Sequence, residues 1–394
     1  MKNNKEGKYR IEVIDSLRGF AIMGIMLLHS IEHFNFYVFP KPETQAAWLN
    51  NMDSIVWDSL FFLFSGKGYA IFAILFGFTF SLMMIKQRQV HNNDFGYRFL
   101  WRMVLLVGFA VINGMFFPGE VLLMYAMLGL TLFFVRNFKI QILLIISIFL
   151  LLQPIEWFHY IHYLVDNDYT APISTTGKYW KLLKEGQLSD SFIKLITTNT
   201  LYGHKVSLIW AYKVGRLAQS AGLFMLGYWL GKKQLFSNSK KNTKFWTRTL
   251  IISTIVFIPF YILKENYNDI FELKIYIQTI RPIINMYGNL AFTLVMISSF
   301  ILLYKTKMFR RIAGGLQYCG RMSLTAYMMQ SIIGGFVFYG YGLGIGPNVR
   351  HTVSVCVGIV LFTLQYYFCK FWITKFKQGP LEMLWHKLTW INSN

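Results

Sequence analysis

The chain has 394 residues, of which 55% are hydrophobic, 18% aromatic and only 14% charged; soluble domains run at roughly 45–50% apolar and about 25% charged. This composition excludes an ordinary soluble protein, and the lack of any long polar block argues for a single integral membrane domain over 1–394. The net charge of +21 does not point to nucleic acid, because Lys and Arg gather in short loops at alternate helix ends, the pattern that sets membrane topology.

A spanning helix needs about 20 mostly apolar residues. On that rule about ten are predicted, near 14–36, 55–85, 99–117, 120–136, 140–157, 206–231, 249–264, 283–304, 321–340 and 351–373. The expected fold class is therefore all-α, a polytopic helix bundle in the membrane. The N-terminal run is basic and then apolar, but it is long and no small-residue cleavage site follows, so it reads as a retained first helix. The second run exceeds one span and is expected to kink near Gly66. Basic clusters at Lys232, Lys233, Lys240, Lys241, Lys244 and Arg248, and at Lys305, Lys307, Arg310 and Arg311, mark inner loops. Both termini are therefore expected in the cytoplasm, with 158–205 as the longest outer loop. The apolar spacing of Leu182, Leu183, Leu188, Phe192 and Ile193 in that loop suits an interfacial helix. Cys319, Cys356 and Cys369 have no disulfide or zinc spacing, and no metal site is expected.

The first helix carries the most chemistry. Eleven residues separate Arg18 from His29, about 16 Å of helical rise, and eleven steps of about 100° return both side chains to one face. Asp15 lies on the same stripe, and Glu32 and His33 continue it. Ionisable groups at membrane depth normally face the bundle interior or a wet cavity. The stripe therefore reads either as capped helix ends with one core histidine or as a polar lane reaching mid-membrane. Asp58 and Lys67, nine residues apart, are expected to form a structural ion pair across the kink, or Lys67 to contact a phosphate. Lys213 and Arg216 sit one turn apart in the sixth span. Arg321 and Gln330 flank a polar lane, with interhelical bonding expected for Gln330. Glu120 in the "PGE" turn is a candidate on the outer side, and His204 reads as an interfacial loop residue. No P-loop, nucleophile elbow or zinc-protease motif is present.

Several stretches together carry a resemblance: "IDSLRGFAIMGIMLL", "SGKGYAIFAILFGFTFSL", "WRMVLLVGFAVINGMFFPGEVLLMYAMLGL", "GRLAQSAGLFMLGYWLGKKQLF", "CGRMSLTAYMMQSII", "GYGLG" and "GPLEMLWHKLT". Over most of its length the chain resembles the bacterial YeiB-like family, domain-of-unknown-function family 418, grouped with the transmembrane acyltransferases. That resemblance implies a protein of the bacterial cytoplasmic membrane that moves an acyl group, acetyl first among them, from cytosolic acetyl-CoA or another acyl-CoA. The acceptor would be an envelope glycan or small molecule at the outer face. Arg-x10-His is the hallmark of the related glycan O-acetyltransferases, so Arg18 would bind the donor and His29 would act as base or accept the acyl group, with Asp15 beside them. Lys67, Arg216 and Arg321 would join Arg18 on the donor, and His33, Glu32, Asp58, Glu120 and Asn113 would face the acceptor. The chain departs from the family pattern in places: Asn usually stands at the position of His29, Glu at Ser65, and His and Gly-Asp at Asn113 and Gly119-Glu120. Membrane lipids, acyl-CoA and the acceptor are the implied partners, nucleic acid is not, and a homodimer is left open. The alternative function is a transporter or exporter of a small anionic or amphiphilic molecule, using the same lane as its path.

Overall fold

The computed structural model describes residues 2–91, 94–166, 169, 177–270 and 279–391. Among them every regular element is helical. Helices of ten or more residues are numbered in chain order: α1 Lys2–Ile31, α2 Ala47–Phe64, α3 Gly68–His91, α4 Gly96–Phe116, α5 Leu122–Val135, α6 Ile140–Leu151, α7 Pro154–Val165, α8 Gly177–Gln187, α9 His204–Lys213, α10 Arg216–Lys232, α11 Lys240–Glu265, α12 Arg281–Leu303, α13 Ser323–Phe338, α14 His351–Lys375 and α15 Pro380–Thr389.

Among the described residues, six segments are long and apolar enough to cross a membrane: Glu12–Ile31 within α1, Ala47–Gln89 across α2 and α3, α4, α11, α12 and α14. The α6–α7 pair, bent by 47°, makes a seventh if counted as one span. The other three runs expected to span form helices of 14 residues (α5), 17 residues (α10) and 16 residues (α13). At about 1.5 Å per residue these are shorter than a hydrocarbon core of about 30 Å. The run at 206–231 is broken, because Val214 and Gly215 end α9 and a new helix starts at Arg216.

Three helices form the centre. On α1, Val13, Leu17, Ala21 and Ile22 are fully buried, and α10 is buried along almost its whole length. α3 and α10 run side by side with their backbones touching: a Cβ on Gly77 would lie 1.8 Å from Phe224 O, and one on Gly227 would lie 1.9 Å from Ile74 O. Small residues at such crossings are the usual way for membrane helices to approach closely. α11 is the opposite case. Ile251, Ile252, Ile255, Ile258 and Ile262 are all more than half exposed, a surface that only an apolar solvent would tolerate over such a length. Its helical ladder is interrupted at Pro259, which has no N–H to give.

Two polar ties fix the bundle. Gln330 on α13 donates to Ile22 O at 3.2 Å and to Gln365 Oε1 at 2.8 Å, the interhelical bonding expected of it. Asp53 on α2 is buried and accepts from Arg350 Nε at 3.0 Å and from the amide and hydroxyl of Thr352, both at 2.7 Å. The second half of the long loop folds as α8 and a short helix Phe192–Thr198. Leu183 turns inward there against Phe36 and Val206, while Leu188, Phe192 and Ile193 stay exposed. Residues 167–168 and 170–176 of that loop lie outside the described residues.

Candidate functional site

One cavity of about 1760 Å³ runs through the bundle, and it gathers most of the residues that the sequence singles out. Asp15, Arg18, His29, Glu32 and His33 all line it, so the stripe read from the periodicity of α1 is a real face looking onto open space. α3 runs antiparallel to α1 along the same wall. Arg18 meets Thr79 at the middle of α3, whereas Gly68 at the start of α3 lies against Ile25, one turn before His29. Eleven residues of α3 separate these points, again about 16 Å. The cavity therefore has an Arg18 end and a His29 end.

The Arg18 end is a set of cations, each with at least one donor bonded to the protein. Arg18 Nη1 donates to Asp15 Oδ1 at 3.1 Å, and Nη2 donates to Thr79 Oγ1. Arg321 donates to Lys377 O at 2.8 Å. Arg102, absent from the sequence expectation, lines the cavity with its guanidinium 4.1 Å over the Trp385 ring and donates to Thr389 Oγ1 at 3.1 Å. Helix α15 builds this end. Its Glu382 accepts the amide N–H groups of Leu324 and Thr325 at 2.7 and 3.1 Å and the Thr325 hydroxyl at 2.6 Å, so it caps the N-terminus of α13 with a negative charge where the helix dipole favours one. The closing motif "GPLEMLWHKLT" thus supplies a cap and an aromatic shelf.

At the His29 end the imidazole is half-buried among rings, with centroids 4.8 Å from Phe117, 5.0 Å from His33 and 5.8 Å from Phe34. Just past α1, Glu32 pairs with His33 Nδ1 at 3.2 Å and accepts from the Tyr37 hydroxyl. Burial alone would raise the Glu32 carboxyl, but the His33 ring and the Tyr37 hydroxyl outweigh it and hold the group down at about 2. A fixed negative charge therefore stands one turn from His29.

Lys67 and Arg216 also line the cavity, each at a helix break. Gly66 and Gly215 have φ of +75° and +74°, values that a side chain disfavours, and each is followed directly by the cation that opens the next helix or precedes it by one residue. Lys67 is 7% exposed; its ammonium has Phe61 O at 3.4 Å and the Phe292 ring at 5.6 Å. The expected ion pair with Asp58 is not formed: Asp58 is exposed at the rim of the cavity, and among the described residues no carboxylate pairs with Lys67. The turn at Gly66 sends the two side chains apart. Arg216 lies between two rings, 3.9 Å from Tyr69 and 4.2 Å from Trp210, and its buried Nε has no hydrogen-bond partner. Lys213 closes α9, so the two cations of the sixth run fall on different helices.

Two acceptor-side candidates are not on the cavity. Glu120 is buried and caps α5, accepting from the Leu122 amide and from the Leu123 amide at 3.0 Å. Its Oε2 lies 4.0 Å from His204 Nδ1, so His204 is a helix-start residue packed on this turn. Burial pushes the Glu120 carboxyl up to about 8 against the pull of those two amides. Asn113 is fully buried, with neither side-chain atom hydrogen-bonded.

Sequence reasoning also missed the brace behind Arg216. The Tyr69 hydroxyl donates to Gln219 Oε1, and Gln219 Nε2 donates to Met286 O at 2.7 Å. The brace ties α3, α10 and α12 together. The signal available was a Tyr and a Gln inside otherwise apolar helices.

Residues 230–392 match the family model described as "Protein of unknown function (DUF418)". The chain is 24% identical to the uncharacterized protein YxaH of Bacillus subtilis (strain 168), over 97% of this chain and 95% of that one. It is 25% identical to the uncharacterized protein YeiB of Escherichia coli (strain K12), over 95% of each. An uncharacterized 39.9 kDa protein from the amylase 3' region of Bacillus acidopullulyticus is 25% identical over 97% of this chain and 94% of that one. The chain belongs to the YeiB-like DUF418 family. No solved structure matches it. In this DUF418 protein the matched segment holds Arg321, Glu382 and Trp385, whereas Arg18, His29, Lys67 and Arg216 precede it. The cavity is thus built jointly by the matched segment and the chain before it.

Proposed function

We propose that this protein is a membrane acyltransferase of the bacterial cytoplasmic membrane, taking an acyl group, acetyl first among them, from cytosolic acyl-CoA to an acceptor hydroxyl or amine at the outer side. The single observation that carries the reading is one continuous cavity with Arg18, Arg102 and Arg321 at one end and His29 about 16 Å along the same helix face. In this reading the Arg18 end faces the cytoplasm, as do both termini, because the basic loops 232–248 and 305–320 belong on that side.

The residues fit the donor's chemistry. Planar guanidinium groups suit phosphate oxygens, and the apolar wall between the two ends suits an acyl-pantetheine arm. At the far end the imidazole of His29 would take the proton from the acceptor. The acceptor's oxygen or nitrogen would form its bond to the thioester carbonyl as the carbon–sulfur bond breaks, and the departing thiolate would leave protonated. Glu32, one turn on, would favour the positive imidazolium formed in that step. Burial of the reacting groups excludes competing water.

A second reading, transport of a small anion, is favoured by one feature: the helix breaks at Gly66 and Gly215 that line the cavity resemble the interrupted helices of transporter binding sites. The test separates the two. Purified protein is mixed with acetyl-CoA, and binding and thiol release are measured for wild type, His29→Ala and Arg18→Ala. Acyl transfer predicts thiol release that His29→Ala abolishes; absence of binding at millimolar acetyl-CoA would sink the enzyme reading.

A further inference from the structure

Arg18 at one end of the cavity has a carboxylate partner in Asp15, and among the described residues the two cations of the His29 end have none. Lys67 is 7% exposed, and among the described residues neither it nor Arg216 pairs with a carboxylate. Glu156 lies against the Gly215 break but does not line the cavity. Holding a cation in an apolar bundle costs several kcal/mol unless something compensates it, and here two stand on the wall of one cavity.

Their geometry is that of a receptor. The Arg216 guanidinium lies 3.9 Å from the Tyr69 ring and 4.2 Å from the Trp210 ring, and Tyr69 is itself fixed through Gln219 to Met286. A guanidinium held against rings still carries planar, paired N–H donors matched to phosphate oxygens. Lys67 supplies a point charge beside the first turn of α3, whose unsatisfied amide groups and dipole also favour an anion. Asn289, packed against Gly66, adds an amide to the lining.

The way in is lateral. On this side the cavity lining reaches exposed residues of α2 and α11: Phe62, Tyr261 and Lys264, the last with a side chain 56% exposed. Phe62 packs on Phe292 of α12 at 4.8 Å. An aromatic edge with a cation at the end of a lipid-facing helix is where an amphiphile with a negatively charged head would enter from the bilayer.

We infer that the cavity wall carrying Lys67 and Arg216 binds an anionic amphiphile with a phosphate head, entering between α2, α11 and α12. This binding does not depend on acyl transfer. If the acyltransferase reading holds, the inference names the class of acceptor, and it frees Lys67 and Arg216 from the donor role that the family resemblance implies for them.

The test measures binding to the purified full chain in detergent with three probes: dioctanoyl phosphatidic acid, dioctanoylglycerol, and inorganic phosphate. Phosphatidic acid should bind at least about tenfold more tightly than dioctanoylglycerol. Lys67→Gln and Arg216→Gln should each remove that advantage, while Lys240→Gln, at the exposed start of α11, should keep it. Arg216→Lys, which retains charge but not the fork, should fall between wild type and Arg216→Gln. Each variant is first checked for a wild-type elution profile, and Arg216→Lys covers the case in which Arg216→Gln does not fold. If inorganic phosphate binds as tightly as phosphatidic acid and displaces it, the phosphate site stands and its ligand is a soluble phosphate compound. Equal binding of phosphatidic acid and dioctanoylglycerol by wild type, or wild-type binding by both Gln variants, would overturn the proposal. None of these readouts involves acetyl-CoA, so failure of acyl transfer and failure of this site are separable.

Discussion

The two ends of the cavity treat positive charge in opposite ways. At one, Arg18, Arg102 and Arg321 each bond to protein groups, and Arg18 has a carboxylate in Asp15. At the other, Lys67 has one carbonyl and a ring, and Arg216 has two rings and the Tyr69 hydroxyl, with no carboxylate on either among the described residues. A satisfied cation supports the fold whether or not a ligand comes, whereas an unsatisfied one is kept at the expense of stability and makes sense only with a ligand. The contrast teaches that burial of charge alone does not identify a site; the partner list does.

Substitutions along the lane test this contrast. The largest effect is expected for His29→Ala, which should lower acyl transfer by about 10²–10⁴-fold with little change in stability, read as thiol release and thermal midpoint. Arg18→Ala should destabilise by about 2–3 kcal/mol, below the 3–5 of a fully buried pair because its side chain is 20% exposed; an unchanged midpoint in detergent would erase the contrast between the ends. Lys67→Met should do the reverse, raising the midpoint of the ligand-free protein by the equivalent of about 1 kcal/mol, since it removes an uncompensated cation of similar shape. The smallest effect concerns Glu120. Its carboxyl, raised from 4.5 to about 8 by burial, holds a proton in the folded chain that the unfolded chain releases. Its contribution to stability is present in full below about 4.5 and is lost as pH climbs towards 8. Glu120→Gln should flatten that slope in a series of melting curves between pH 5 and 8.

Much of the lane was legible in the sequence because a helix converts spacing into direction. The eleven-residue interval from Arg18 to His29 needed only the α-helical period, and Gly66 followed by Lys67 marked a kink inside an overlong apolar run. The break at Gly215 was not legible. Gly215 is one of several glycines in a run whose others, such as Gly222 and Gly227, serve close packing, and only backbone geometry tells a turn from a contact. Charge pairing across long separations was equally hidden. Asp53 finds Arg350 across 297 residues, while Asp58, the nearer acid to Lys67 in the sequence, stays at the rim. Glu120 looked like a site residue because it is an acid among apolar neighbours, but a cap has the same signature in a sequence. Arg102 and Glu382 were passed over because one lies in an apolar span and the other near a chain end where charge is ordinary.

The isoleucine face of α11 bears on how such a chain can change. Lipid tails ask a side chain only to be apolar, so Ile251, Ile255 and Ile258 can each be exchanged for Leu, Val or Phe without disturbing a neighbour. Positions such as Gly77 or Gln219 admit almost nothing else. Identity of about a quarter along the whole length, as this chain and its relatives have, is compatible with such freedom on the lipid-facing surface.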